Sequence, residues 1–247
     1  MKLLVYNERN EIFEKQNNDY ISLYMCHSHV INLGPGKRFG IWVQGCLKSC
    51  ADCMAPDAQD RNSGITKDCD DLVSEILSAP DIEGITISGG EPLLQWGALH
   101  NILSQVKQKS PDLNVLLYTG YLFADELWPH LDPTNSLYNP EFAMFFNMLD
   151  WWIDGPYDSK RDDERGFRGS SNQNLYGNII HPKLGRKIIS KKIDTNQWEA
   201  LRGVPFFLED DVMTEFATQE RLPVWETKNG NATAVGIPTK NQLRAFY

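Results

Sequence analysis

Apolar and polar residues form two alternating kinds of segment along most of the chain. Short and nearly continuous apolar runs, which are typical of buried strands, lie at 20–31, 39–44, 84–88, 115–118 and 151–154. Apolar residues recur at helical spacing in segments between these runs, at 70–77, 99–106, 123–128 and 142–146. Strands that alternate with helices favour a parallel sheet with right-handed crossovers, so the pattern predicts an α/β protein.

The alternation weakens beyond about residue 178. A basic and β-branched run covers 187–192, the residues at 195–201 suit a helix, and Asn229-Gly230 between short apolar segments predicts a β-hairpin. We therefore divide the chain into a domain at residues 1–179 and a C-terminal extension at residues 180–247.

Length and charge narrow the classes of function. The 247 residues fit one large domain with an extension. The formal net charge of -9 does not suit a protein that wraps nucleic acid, because phosphate binding needs clustered Lys and Arg. A protein or a small molecule is the expected partner. Since no run of about twenty apolar residues is present, we expect no membrane span and a soluble, cytoplasmic protein.

Three of the five cysteines, Cys46, Cys50 and Cys53, form one C-x3-C-x2-C motif directly after the second predicted strand. Such crowding indicates metal or redox use in a reducing compartment rather than a secreted disulfide framework. A [4Fe–4S] cluster normally takes four thiolates, so a cluster held by three has an iron open to a substrate or cofactor. The alternative is a structural zinc ion with His27 or His29 as fourth ligand, although zinc sites usually combine two Cys or Cys/His pairs.

Three further turns follow the ends of predicted strands. They are Ser88-Gly89-Gly90-Glu91, Thr119-Gly120 and Asp154-Gly155. Because parallel α/β sheets bind ligands at the carboxyl ends of their strands, we expect these turns and the cysteine loop to line one rim. Glycine at such a turn lets the backbone approach a ligand closely, but the same sequence also suits an ordinary strand-to-helix turn.

The cysteine motif and the later Gly-Gly-Glu sequence together resemble the radical S-adenosylmethionine (SAM) superfamily. The resemblance implies a partial (β/α)6 TIM-like barrel in which the three cysteines hold a [4Fe–4S] cluster and SAM binds at the open iron. It also implies that an injected electron cleaves SAM to methionine and a 5′-deoxyadenosyl radical. The residues that it places at SAM are Ser88, Gly89, Gly90 and Glu91.

Four other motifs are similar to the anaerobic ribonucleoside-triphosphate reductase activating proteins, a family of glycyl-radical-enzyme activases, over about residues 20–178. These motifs are Asn32–Gly36, Tyr118–Tyr121, Ile153–Tyr157 and Arg165–Gln173. The similarity implies that the radical abstracts hydrogen from a glycine of a partner enzyme. It also implies a flavodoxin- or ferredoxin-type electron donor.

Two details of the resemblance concern single residues. Related activases hold a monovalent cation beside the cofactor with a Thr and an Asp at two strand ends, and Thr119 and Asp154 match those positions by order. An Asp there equally suits a turn cap. Many superfamily members have an aromatic residue before the third cysteine, whereas this chain has Asp52.

An acidic electron donor would need positive charge near the cluster loop. Lys37, Arg38 and Lys48 lie near the cysteines in sequence and are the candidates for that charge, although such charged residues more often form a solvated face.

The functional hypothesis is therefore a radical SAM enzyme that generates a glycyl radical on an anaerobic ribonucleotide reductase. One alternative is a radical SAM maturase that modifies another peptide or a small molecule. Another is a non-catalytic iron–sulfur or zinc-binding module.

Overall fold

The structure is a computed structural model that describes residues 18–162, 167–180, 187–193, 224–228 and 231–235. Eight strands form one mixed sheet in the order β3-β1-β2-β4-β5-β6-β7-β8. Their bounds are β1 (Tyr20–Val30), β2 (Arg38–Val43), β3 (Ile65–Asp68), β4 (Gly84–Gly89), β5 (Asn114–Tyr118), β6 (Trp151–Asp154), β7 (Asn174–Ile180) and β8 (Lys187–Ile193).

The helices lie between these strands. They are α1 (Cys69–Ser78), α2 (Trp96–Lys109), α3 (Trp128–Leu131) and α4 (Pro140–Phe146). The helix predicted over 123–128 is instead a π-helical turn at Phe123–Leu127 that leads into α3. Pro129 has no N–H to donate to the preceding turn, so a regular α-helix cannot run through this segment.

The four central strands, β2, β4, β5 and β6, are parallel, which confirms the predicted parallel α/β sheet. The strands on either side, β1 with β3 and β7 with β8, pair antiparallel. Strand β3 was not predicted, because it is short, partly exposed and without an apolar alternation. Since the described residues contain four parallel strands, the six-unit barrel stays a prediction.

The two faces of the sheet have different contents. Helices α1, α2 and α4 pack on one face, where a large core includes a run of aromatic contacts such as Trp152 stacked on Tyr176 at 5.7 Å. The other face carries a smaller apolar cluster around Leu33 and Trp42. Alternation along β2 explains the division, because Ile41 points to the helices and Trp42 points away from them. The smaller cluster faces the site described below.

The amino ends of the parallel strands are closed by Arg38, whose side chain is fully buried. Its guanidinium donates to the carbonyl oxygen of Ile85 at 2.7 Å and to Asn114 Oδ1 at 2.6 Å. Lys37 lies beside it, and its backbone N–H donates to Glu83 Oε1 at 2.9 Å. Neither of these two candidates therefore adds charge to the cysteine rim, because both lie at the opposite end of β2.

The predictions for the chain beyond residue 178 can be compared with the strands that the structure describes there. The basic run is strand β8, and the predicted hairpin is present as paired strands β9 (Val224–Lys228) and β10 (Asn231–Val235). The helix suggested at 195–201 and the turn residues at 229–230 lie outside the described residues. Within the described part of the chain, no helix has the length and apolar character needed to cross a membrane.

Candidate metal centre and cleft

All four predicted turns meet at one cleft at the carboxyl ends of the parallel strands. A cleft at the carboxyl ends of parallel strands is a usual place for a small-molecule site. Its lining includes Cys46, Cys50, Cys53, Ser88, Gly89, Gly90, Glu91, Thr119, Gly120 and Gly155. The tertiary structure thus brings together residues that are far apart in sequence.

The start of the cysteine loop is fixed by a neighbouring segment at 57–60. Gly45 N–H donates to the carbonyl oxygen of Ala58 at 2.7 Å, and Cys46 N–H donates to that of Gln59 at 3.0 Å. The buried side-chain amide of Gln44 donates to two more carbonyl oxygens of this segment, both at 2.8 Å. The first cysteine therefore has a well-defined position.

The three cysteines are free and half-buried. Burial raises the pKa of the Cys46 thiol, and the Glu91 carboxylate raises it further. Burial also raises the pKa of Cys50, against a hydrogen bond from the Tyr157 backbone that lowers it. Metal binding would have to displace these protons, because the thiolate is the ligand.

A single metal ion and a [4Fe–4S] cluster require different spacings between their thiolate ligands. Among the described residues, no three Cys, His, Asp or Glu side chains converge closely enough to hold one metal ion. A [4Fe–4S] cluster binds each thiolate at a different iron, so its ligands are spread more widely. His27 and His29, the candidate fourth ligands for zinc, are absent from the cleft lining among the described residues. The donor set therefore fits the cluster better than zinc.

The two glycines of the Gly-Gly-Glu turn make room for the backbone that enters the cysteine loop. A Cβ at Gly89 would lie 2.4 Å from Val43 N, and one at Gly90 would lie 2.2 Å from the carbonyl oxygen of Gly45. The turn is also bonded to this backbone, since Gly90 N–H donates to Val43 O and Glu91 N–H to Gly45 O, both at 2.8 Å. Both glycines are thus needed for the Gly-Gly-Glu turn to pack against the segment that enters the cysteine loop. The sequence did not reveal this role.

Glu91 joins the Gly-Gly-Glu turn to the next strand end. Its carboxylate is buried and accepts hydrogen bonds from Thr119 Oγ1 at 2.9 Å, Gly120 N–H at 2.8 Å and Leu93 N–H at 3.0 Å. Burial raises the pKa of Glu91 to about 7, although these three donors and Lys48 lower it. Glu91 therefore holds two turns of the cleft together.

Thr119 and Asp154 occupy different environments. Thr119 lines the cleft, but Asp154 does not belong to the lining among the described residues. The buried Asp154 carboxylate accepts from Phe123 N–H at 2.8 Å and from the backbone and side chain of Asn174 at 3.1 and 2.9 Å. It also raises the pKa of Tyr176, which burial brings to about 12. These contacts join the end of β6 to two distant segments of the chain, and neither the cation role nor the cap of the following turn follows from them.

The Ser-Ser-Asn-Gln motif fastens the loop that follows β6. Gln173 Oε1 accepts from two backbone N–H groups of the motif region at 2.8 and 3.1 Å, while its Nε2 donates to Gly155 O at 2.8 Å. Ser170 is fully buried, and its Oγ accepts from Asp158 N–H at 3.1 Å. The motif is thus a scaffold for the rim, and Gln173 also lines the cleft. Arg165 and Gly166, which begin the longer Arg165–Gln173 motif, lie outside the described residues.

The same loop contacts the cysteine motif directly. Ser159 Oγ donates to Asp52 Oδ2 at 2.8 Å, and the Tyr157 backbone bonds to the Cys50 thiol. Asp52 adopts a left-handed backbone conformation with φ 58°, as does Ser49 with φ 46°. Where many superfamily members have an aromatic residue, this chain therefore has a carboxylate that ties two loops together.

The sequence did not assign the apolar wall of the cleft, which is formed by Leu33, Trp42, Met54 and Tyr118. Lys48, which was expected near the cysteines, also lines the cleft. The alternation along β2 and β5 would have placed Trp42 and Tyr118 on the face away from the helices. Tyr118 is fixed there by its hydroxyl, which donates to Phe167 O at 2.6 Å.

We expect Gly90→Ala to displace the cysteine loop, because the new methyl group would overlap the carbonyl of Gly45. Iron bound after anaerobic reconstitution should fall severalfold, and the melting temperature should also fall. Gly120→Ala is the matched control, since its Cβ would meet side chains rather than backbone, at 3.1 Å from Lys48 Cγ and 3.4 Å from Glu91 Oε2. Normal iron loading in the Gly90 variant would contradict this account of the turn.

Comparisons with known proteins agree with this site. A family model described as "4Fe-4S single cluster domain" matches residues 32–176. An anaerobic ribonucleoside-triphosphate reductase-activating protein of Enterobacteria phage T4 is 29% identical over 164 residues, or 65% of this chain and 94% of that protein. The protein of the same name from Vibrio cholerae is 29% identical over 159 residues, or 62% and 91%.

A pyruvate formate-lyase-activating enzyme of Staphylococcus epidermidis is 40% identical over 80 residues, or 30% of this chain and 32% of that enzyme. The resemblance to activating proteins is thereby confirmed. Because the family model covers more than half of the 247 residues, this chain belongs to the 4Fe-4S single cluster domain family.

Proposed function

We propose that this chain is a radical SAM enzyme that generates a glycyl radical on an anaerobic ribonucleotide reductase. The observation that carries the proposal is the convergence of three free, half-buried thiols with the Gly-Gly-Glu turn in one cleft. The names of its relatives, which are reductase-activating and lyase-activating proteins, support the same activity.

The residues present fit a [4Fe–4S] cluster. Cys46, Cys50 and Cys53 would hold three irons, which leaves the fourth for a ligand in the cleft. When bound, the cluster and SAM supply the reductive cleavage of a carbon–sulfur bond that yields a 5′-deoxyadenosyl radical. The protein has to position the cofactor and exclude water and stray hydrogen donors.

The cleft contains residues for both tasks. The Ser88–Glu91 turn would bind the methionyl end of SAM, with its position fixed by the bonds to Val43 and Gly45. Trp42 and Tyr118 in the apolar wall would keep water away from the reacting atoms.

A monovalent cation at Thr119 and Asp154 is a further part of the proposal. It would have to compete for the Asp154 carboxylate with the hydrogen bonds from Phe123 and Asn174. Cation binding therefore requires a rearrangement at this strand end.

The remaining proposals concern organisation and partners. We assign residues 1–179 to a radical SAM domain with a partial (β/α)6 barrel, and residues 180–247 to an extension whose first strand, β8, pairs with β7. A flavodoxin- or ferredoxin-type protein in the cytoplasm would supply the electron. Of the three basic residues expected near the cysteines, Lys48 lies at the cleft.

The test is anaerobic reconstitution with iron and sulfide, followed by dithionite, SAM and the glycyl-radical reductase of the same organism. We expect 5′-deoxyadenosine and a protein-centred glycyl radical in the electron paramagnetic resonance (EPR) spectrum. A cluster-loaded protein that makes no 5′-deoxyadenosine would refute the radical SAM activity. Formation of 5′-deoxyadenosine without a radical on the reductase would instead support the maturase alternative.

A further inference from the structure

Lys48 is held in a fixed position within the cysteine motif. It lies between Cys46 and Cys50, and its side chain lines the cleft. Its Nζ lies 2.8 Å from Glu126 Oε1 and 3.7 Å from the centre of the Tyr121 ring. The ammonium group is thus held by a carboxylate on one side and an aromatic face on the other.

The surrounding segments are arranged to accept this side chain. Gly120 has no side chain at the point where a Cβ would approach Lys48 Cγ to 3.1 Å, so the lysine stem can lie across the Thr119-Gly120 turn. Glu126 is itself fixed, because its Oε2 accepts from Leu122 N–H at 2.6 Å. The Lys48 side chain is only 22% exposed, whereas that of Glu126 is 39% exposed.

The positive charge of Lys48 lies within the site. Its backbone N–H donates to Cys46 Sγ at 3.3 Å, and the residue lines the same cleft as all three cysteines. Reduction of a thiolate-bound iron–sulfur cluster adds one negative charge, and the potential of such clusters depends on nearby charge. A cation that lines the same cleft as the three cysteines should therefore favour the reduced form of the cluster.

We propose that Lys48 raises the reduction potential of the bound cluster, and that Glu126 partly offsets this effect. Lys48 is thus a positioning and charge-setting residue for electron uptake. The inference rests on the proposed function, because it requires a cluster at Cys46, Cys50 and Cys53.

The test is an EPR-monitored redox titration of the reconstituted protein, without SAM and without a partner. Lys48→Gln should lower the ratio of reduced to oxidised cluster about tenfold at a fixed potential, which is a shift of about 59 mV for a one-electron couple. Glu126→Gln should raise that ratio, because the ammonium is then no longer offset. Lys48→Arg keeps the charge and should stay within about twofold of the parent protein.

The test is specific because the Lys48→Gln and Glu126→Gln variants should shift the reduction potential in opposite directions. Both glutamine variants break the same salt bridge, so a purely structural role would shift their potentials in the same direction. Shifts in the same direction, or no shift in either variant, would overturn the inference while the proposed function stands. Iron and sulfide content is measured first, since a parent protein that binds no cluster would overturn both.

Discussion

Replacement of Cys50 by alanine should abolish cluster binding and SAM cleavage together. Cys50 is one of only three thiols in the cleft, so its loss leaves two ligands for four irons. We expect a larger loss than the roughly 10–100-fold that removal of an outer-shell partner costs a metal site. The measurements are iron and sulfide content, the absorbance of the cluster, and 5′-deoxyadenosine formed after reduction.

The two cysteines outside the cleft provide matched controls. Cys69 is buried in the core, and burial raises the pKa of its thiol to about 12, so it is poorly suited to ligation. Cys26 lies on β1, with its thiol 3.6 Å from Glu75 Oε2. Cys69→Ala and Cys26→Ala should therefore bind the cluster normally. Retained SAM cleavage in the Cys50 variant would disprove the ligand assignment.

Replacement of Glu91 by alanine should have the second largest effect. It would leave the buried N–H group of Leu93, the buried hydroxyl of Thr119 and the half-buried N–H group of Gly120 without their acceptor. We expect the free energy of unfolding to fall by about 3 kcal/mol or more, since each buried group left unsatisfied costs about 1–3 kcal/mol. SAM cleavage should also fall, because Glu91 holds the Thr119-Gly120 turn in the cleft.

Glu91 also predicts a particular pH dependence of stability. Burial raises its pKa in the folded state to about 7 from an ordinary 4.5, so the folded protein keeps a proton that the unfolded chain has lost. The stabilisation from this proton is complete below the pKa of Glu91 in the unfolded chain. It is lost as pH rises through the pKa of Glu91 in the folded protein, which is about 7. The loss should be about 3 kcal/mol, at about 1.36 kcal/mol for each pKa unit.

The control is Glu91→Gln, which keeps the shape of the side chain and removes its titration. Urea unfolding at several pH values from 5 to 8 gives the difference in free energy between the two proteins. The Glu91→Gln protein should become more stable relative to the parent protein as pH rises. A difference in the free energy of unfolding that does not depend on pH would contradict the raised pKa of Glu91. Gln still accepts at one oxygen, so its fold should be less damaged than that of the alanine variant.

The parallel centre of the fold was predictable because it depends on local apolar runs. The runs at 84–88 and 115–118 are long and apolar enough to identify β4 and β5 by themselves. Strand β3 was not predictable, because it is stabilised by pairing with β1 rather than by an apolar face of its own. The π-helical turn at Phe123–Leu127 depends on how Pro129 interrupts a helix, which the apolar spacing does not register.

The site likewise has one part that the sequence predicted and another part that it did not. The motif spacing identified the cysteines, and the strand-end rule correctly grouped them with the Gly-Gly-Glu and Thr119-Gly120 turns. Closeness in sequence did not distinguish the positions of Arg38 and Lys48, because both lie near the cysteines along the chain. Arg38 begins β2 and Lys48 follows the end of that strand, so they lie at opposite ends of the sheet.

By itself, the sequence determined which ligands are available, since three cysteines at fixed spacing and a Gly-Gly-Glu turn depend on residue identity alone. Only the tertiary structure decided what those residues do for one another. The buried Glu91 joins two strand ends, the glycines make room for the cysteine loop, and Lys48 lies against Tyr121 and Glu126. Such contacts join segments that are far apart in the chain, and their geometry depends on the packing of the whole sheet.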